Sequence, residues 1–146
     1  MKEIALLGTA GTVFSNVLTA LLHKGYSVNT IVTEPEHIML DTTNVTVSLY
    51  DTASKATIRK ALEGYNDAVI AYETDFLDAA NNDFILRTYA ETVNAAIEAG
   101  VKRLVVVGNK DSEAFFATEL KRRSDLIDGR FISTEGCYAC AAADAI

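Results

Sequence analysis

Residues 3–14 read Glu3-Ile4-Ala5-Leu6-Leu7-Gly8-Thr9-Ala10-Gly11-Thr12-Val13-Phe14, and this stretch decides the fold. Ile4 to Leu7 form an unbroken apolar run that stops at Gly8, as strands do when both faces of a parallel sheet are covered. From Phe14 to His23 the apolar Phe14, Val17, Leu18, Leu21 and Leu22 recur at helical spacing, and Gly25 supplies a left-handed stop. Ser27 to Thr33 reads as a second strand, closed at Glu34-Pro35 because proline cannot continue a central ladder. Strand, glycine turn, helix and strand make one complete βαβ unit.

The alternation continues along the chain. Val45 to Tyr50 is β-branched and strand-like, Thr52 to Gly64 is helical with Ile58, Ala61 and Leu62 on one face, and Asp67 to Tyr72 is the next strand. Asp83 can cap a long helix whose buried face draws on Phe84, Leu86, Val93, Ala96 and Ile97, with Gly100 at its end. Val101 to Val107 is the most apolar strand. Beyond Gly108 the pattern gives a helix over Ser112 to Leu126 and an alanine-rich helix over Thr134 to Ile146. Arg130-Phe131-Ile132 between them is compatible with a short strand or with helix alone. At least five strands alternating with helices predict an α/β fold, a doubly wound parallel sheet with helices on both faces. Ligands of such sheets sit outside the strands' carboxyl ends, where the strand order reverses.

Composition bounds the function. The 146 residues, 49% apolar and 23% charged, suit one domain over residues 1–146. A net charge of −7 repels phosphate backbones and anionic lipid headgroups, so neither nucleic acid nor membrane is expected as a partner. Met1-Lys2-Glu3 leads into an apolar run too brief for a signal peptide or a bilayer span, and a cytoplasmic location is expected. The two cysteines cannot form a disulfide scaffold, and with only His23 and His37 beside them there is little material for zinc.

Gly8-Thr9-Ala10-Gly11-Thr12-Val13 stands where a dinucleotide fingerprint must, after a strand and opening a helix. Gly8 can make the tight turn, Gly11 can admit backbone N–H groups to a diphosphate, and the helix N-terminus adds partial positive charge. Phe14 stands where the third glycine of the motif would be. Either the helix shifts outward to admit its ring, or the ring occupies cofactor space; the plainer reading is a glycine turn that only joins strand to helix.

The Gly8, Gly11, Phe14 spacing resembles the atypical short-chain dehydrogenase/reductase superfamily, in its NmrA-like and epimerase-like NAD(P)-binding branch. The stretches His23 to Val32, Leu62 to Tyr72 and Ile97 to Gly108 are similar to that family's helix-glycine-strand junctions, so the likeness covers residues 1–110. The resemblance implies that Gly8, Thr9, Ala10, Gly11, Thr12 and Val13 hold a diphosphate and that Thr33 and Glu34 meet the adenosine ribose. It places Asp51 at the adenine, and Ala71, Tyr72, Gly108 and Asn109 on the nicotinamide side. It also implies a chain shortened on its C-terminal side, with the substrate lobe lost or compressed.

Several positions depart from the family pattern. Many relatives carry an arginine after the second strand to pair a 2′-phosphate, whereas Glu34 would repel one, so NAD is expected rather than NADP if a dinucleotide binds. Glu34 and Glu36 can equally flank an exposed turn at Pro35, and Asp51 can simply cap the helix that follows. Short-chain dehydrogenases relay a proton through a tyrosine acidified by a lysine four residues on. Here the residues four beyond Tyr26, Tyr50, Tyr65, Tyr72, Tyr89 and Tyr138 are Thr30, Ser54, Val69, Phe76, Val93 and Ala142, so no catalytic residue is assigned. Cys137-Tyr138-Ala139-Cys140 has redox spacing, but its small neighbours favour two buried structural cysteines over redox exchange, with a metal shared between two chains as the third reading.

Three functions follow in order of support. The first is a non-catalytic or sensor-type dinucleotide-binding module. The second is a scaffold that binds no cofactor and acts through protein contacts. The third is an NAD(P)-dependent reductase or epimerase-like enzyme completed by a partner subunit. Each leaves apolar faces and a sheet edge that a homo-oligomer would cover.

Overall fold

A computed structural model describes residues 3–8, 12–32, 45–49, 55–71, 90–108, 113–134 and 136–146. Six strands form one sheet: β1 (Glu3–Gly8), β2 (Ser27–Val32), β3 (Val45–Leu49), β4 (Asp67–Ala71), β5 (Arg103–Gly108) and β6 (Asp128–Ser133). Their order is β3-β2-β1-β4-β5-β6, and every neighbouring pair is parallel. The helices are α1 (Thr12–His23), α2 (Lys55–Leu62), α3 (helical residues 90–99), α4 (Glu113–Arg122) and α5 (Tyr138–Ala145).

Strand periodicity sorts the core into two layers, because alternate side chains leave opposite faces of the sheet. Ala5, Leu7, Ile31, Ala68, Ile70, Leu104 and Val106 face Ile58 and Leu62 of α2, Val93 and Ala96 of α3, and Phe116 and Leu120 of α4. Ile4, Leu6, Val28, Val69, Ala71, Val105 and Val107 face Phe14, Val17, Leu18 and Leu21 of α1 and Ala142, Ala143 and Ile146 around α5. Both faces of β1, β4 and β5 are therefore buried, which is why these strands read as continuous apolar runs.

The expected glycine stop is realised after α1. Gly25 has φ +85°, its N–H donates to Leu22 O at 2.9 Å, and the Tyr26 N–H donates to Leu21 O at 3.3 Å. This is the paired Schellman arrangement, which satisfies carbonyls left open at a helix end. Gly100 closes α3 in the same way, with Gly100 N–H on Ile97 O and Val101 N–H on Ala96 O.

Three details beyond Gly108 differ from the expectation or complete it. The Asp128 to Ser133 segment is a sixth strand, pairing with β5 from Arg103↔Asp128 to Gly108↔Ser133. The helix expected to reach Leu126 stops at Arg122. Arg123 instead bonds to Asn94 Oδ1 at 2.9 Å and to Glu119, and the turn that follows buries Ile127 at the head of β6 while Leu126 stays exposed. The last helix begins at Tyr138 rather than Thr134, because Gly136 at φ +62° interrupts it and Thr134 is still tied to the sheet through its N–H on Gly108 O. The cap expected at Asp83 lies outside the described residues, as do Phe84 and Leu86.

Candidate functional site

Because all the strands are parallel, Gly8, Val32, Leu49, Ala71, Gly108 and Ser133 end on one edge of the sheet. The chain builds outward from β1 in one direction through β2 and β3, and in the other through β4, β5 and β6. The reversal therefore falls between β1 and β4, where Gly8 and Ala71 are Cα partners. A crevice opens at such a point because the connections after the two strands leave in opposite directions.

Gly8 is confined by its neighbours. A Cβ there would lie 1.9 Å from the Ala71 carbonyl oxygen and 3.1 Å from Cδ2 of Phe14. No side chain fits, so glycine at this position is a packing requirement. The same contact answers the question posed by Phe14. Its ring is 1% exposed and belongs to the apolar layer between α1 and the sheet, beside Ile4, Leu6, Val17, Val69 and Ala71. Gly8 and Ala71 supply the room that a third glycine would otherwise have left. A ring projecting into an open crevice would meet solvent, and this one does not.

Above that layer, α1 presents its N-terminus. Thr12 is exposed and Val13 half-buried, and the first turn contains no acidic residue. The positive end of the twelve-residue helix's dipole thus lies at a turn that carries no competing carboxylate. Such a helix end can accept an anion.

Of the residues proposed from sequence, Gly8, Thr12, Val13, Ala71 and Gly108 are described, and the parallel sheet brings them to one edge. Thr9, Ala10, Gly11, Thr33, Glu34, Asp51, Tyr72 and Asn109 lie outside the described residues. Sequence reasoning did not single out Ser133 and Thr134, which follow from β6. Ser133 is the register partner of Gly108, and the Thr134 N–H donates to Gly108 O at 2.9 Å. The apolar pair Phe131 and Ile132 was the available signal, too short to separate strand from helix. The opposite edge of the sheet is held by polar links: Arg103 lies 3.8 Å from Asp128, and its guanidinium donates to Ile146 O at 2.7 Å.

The cysteines are a correction. Cys137 and Cys140 are both free and exposed, not buried as their small neighbours suggested. The buried side of α5 is set by Ala142, Ala143 and Ile146. Cys140 precedes Ala142 by two positions, about 200° of helix rotation, which turns it to solvent. Between α1 and α5, the Asn16 Nδ2 donates to the Tyr138 hydroxyl at 2.7 Å and Lys24 Nζ lies 2.5 Å from Asp144. The hydrogen bond and charge of Asp144 hold the Lys24 ammonium above the ordinary lysine range, outweighing a small opposing effect of burial.

No curated protein matches this chain. Among solved structures, a candidate epimerase of Bacteroides thetaiotaomicron is 26% identical, with a TM-score of 0.66, over 76% of this chain and 49% of its own. A Citrobacter triphenylmethane reductase solved with NADP(H) is 24% identical, with a TM-score of 0.68, over 89% and 48%. An Escherichia coli NADPH-dependent quinone oxidoreductase solved with NADPH is 19% identical, with a TM-score of 0.68, over 89% and 48%. The chain thus spans about half the length of each of these structures. The family model for NAD(P)H-binding proteins matches residues 8–127, from the glycine that ends β1 to the residue that precedes β6. The chain belongs to that NAD(P)H-binding family of Rossmann-fold proteins, whose NmrA-like and epimerase-like members its glycine turn resembles.

Proposed function

We propose that this chain is a dinucleotide-holding module that binds a nicotinamide cofactor at the β1–β4 reversal without turning over a substrate by the usual short-chain dehydrogenase route. One observation carries the proposal: the Phe14 ring is buried against Gly8 in the apolar layer, while the first turn of α1, with Thr12 exposed, carries no acidic residue. Gly8, Thr9, Ala10, Gly11, Thr12 and Val13 would hold the diphosphate. Thr33 and Glu34 would meet the adenosine ribose, Asp51 the adenine, and Ala71, Tyr72, Gly108 and Asn109 the nicotinamide side. A bound nicotinamide supplies hydride transfer; the residues named here bind and orient it. The tyrosine–lysine pair that would move the accompanying proton is missing from the sequence, which supports a sensing or structural role over catalysis.

Glu34 favours NAD over NADP in this proposal, through repulsion of the 2′-phosphate. The similarity to reductases solved with NADPH supports a second reading, in which a partner subunit completes an enzyme site. One domain over residues 1–146 is supported by a single sheet running through β1 to β6. A homo-oligomer is supported by β6 at the sheet edge and by Leu126, 67% exposed beside it. Among the described residues no helix is long and apolar enough to cross a membrane. Titration with NADH and NADPH, followed by nicotinamide fluorescence, tests the proposal. Saturable binding of NADH without consumption of added carbonyl or quinone substrates is expected, and sustained NADH oxidation by the chain alone would replace the module with an enzyme.

A further inference from the structure

Cys137 and Cys140 take no part in the dinucleotide site. We propose that they form a reversible dithiol–disulfide pair that exchanges with small disulfides in the groove between α1 and α5. Cys137 is the N-cap of α5 and Cys140 lies in its first turn, with the Ala141 N–H donating to Cys137 O at 3.0 Å to close that turn. Residues three apart on a helix have Cα atoms about 5 Å apart. Disulfides span about 4.4–6.8 Å between Cα atoms, so the bond can close within the turn without opening the fold.

Access is the second requirement, and both thiols are exposed. They border a groove of about 350 Å³ whose other wall is α1, with Asn16, Thr19 and His23 facing Tyr138 and Ala139. The Asn16–Tyr138 hydrogen bond fixes the first turn of α5 against α1, so the thiols stand on a held element.

One cysteine loses its proton and attacks a sulfur of a small disulfide RSSR, forming a mixed disulfide and expelling RS⁻. The second cysteine loses its proton and attacks the protein sulfur of that mixed disulfide, expelling the other RS⁻ as the intramolecular bond forms. The two protons go to the two RS⁻ groups. The dithiol is oxidised by two electrons and RSSR is reduced to two RSH.

The full chain, reduced and then equilibrated with glutathione disulfide, should be acid-quenched, alkylated and weighed by mass spectrometry. A species two hydrogens lighter than the dithiol is expected, with no alkyl group or glutathione and with Cys137 and Cys140 joined in one peptide. Cys137→Ser and Cys140→Ser should each instead retain one glutathione, released at least about tenfold more slowly than from the wild-type chain. The proposal is overturned if the wild-type chain keeps both alkylation sites, carries two glutathiones, or cross-links only between molecules.

Discussion

The ring of Phe14 rests against Gly8: a Cβ on residue 8 would approach the ring to 3.1 Å and the Ala71 carbonyl oxygen to 1.9 Å. The first glycine of the turn therefore serves the packing of β1 on β4 and of α1 on the sheet at once. Gly8→Ala must displace backbone, and overpacking of this kind costs about 1–3 kcal/mol. A urea unfolding series should show a lower midpoint with the slope unchanged; an unaltered midpoint would mean that β1 and β4 are farther apart than described.

Phe14 is a core residue, so its replacement should weaken the fold and leave cofactor affinity alone. Phe14→Ala removes a buried ring and should cost about 3–5 kcal/mol. Phe14→Leu keeps an apolar side chain in the layer and should bind NADH within about twofold of the wild-type chain. A gain in affinity of tenfold, about 1.4 kcal/mol, in Phe14→Leu would show that the ring had been obstructing the ligand.

The charge after β2 sets cofactor choice in the proposed site. With Glu34 in place, NADH should bind at least about tenfold more tightly than NADPH, because the carboxylate repels the 2′-phosphate. Glu34→Arg should narrow or reverse that ratio through a paired phosphate contact. Parallel titrations in which both cofactors bind the wild-type chain alike would remove Glu34 from the ribose site.

The Lys24–Asp144 pair joins α1 to α5 and carries a defined pH signature. Its folded-state Lys24 titrates above the ordinary lysine range. The stabilisation is therefore fully present below about pH 10, near the unfolded lysine value, and is lost as the pH rises through the folded one. The side chains are 45% and 64% exposed, so the effect is small and falls with salt. Thermal midpoints measured in the alkaline range should drop less in Asp144→Asn than in the wild-type chain; equal drops would show that the pair contributes nothing.

What the sequence makes legible follows where periodicity and backbone demands are strong. Ile4 to Leu7 and Leu104 to Val107 read as doubly covered strands because both of their faces are buried, and Gly25 and Gly100 mark helix ends because φ there is positive. The α5 helix is less legible: nearly every residue is small or apolar, so its buried face is chosen by α1 and not by its own pattern. Residue type alone then misplaced Cys137 and Cys140. The strand β6 is edge-placed and only half-buried, with Arg130 between Gly129 and Phe131, which weakens its pattern. The place of the proposed site, at the end of β1, is legible in the chain because parallel strands must end on a common edge. The packing of Phe14 was not, since it depends on Ala71, more than fifty residues away.

The acid-free first turn of α1 allows the most direct test. Thr12→Glu places a carboxylate at the exposed helix N-terminus, where it should favour the helix by about 0.3–1 kcal/mol while repelling a diphosphate. Calorimetric titration with NADH should give saturable binding to the wild-type chain that is lost in Thr12→Glu, with the unfolding midpoint of the variant kept or raised. No binding of either NADH or NADPH to the wild-type chain, or equal binding by the variant, would contradict a diphosphate held at this turn.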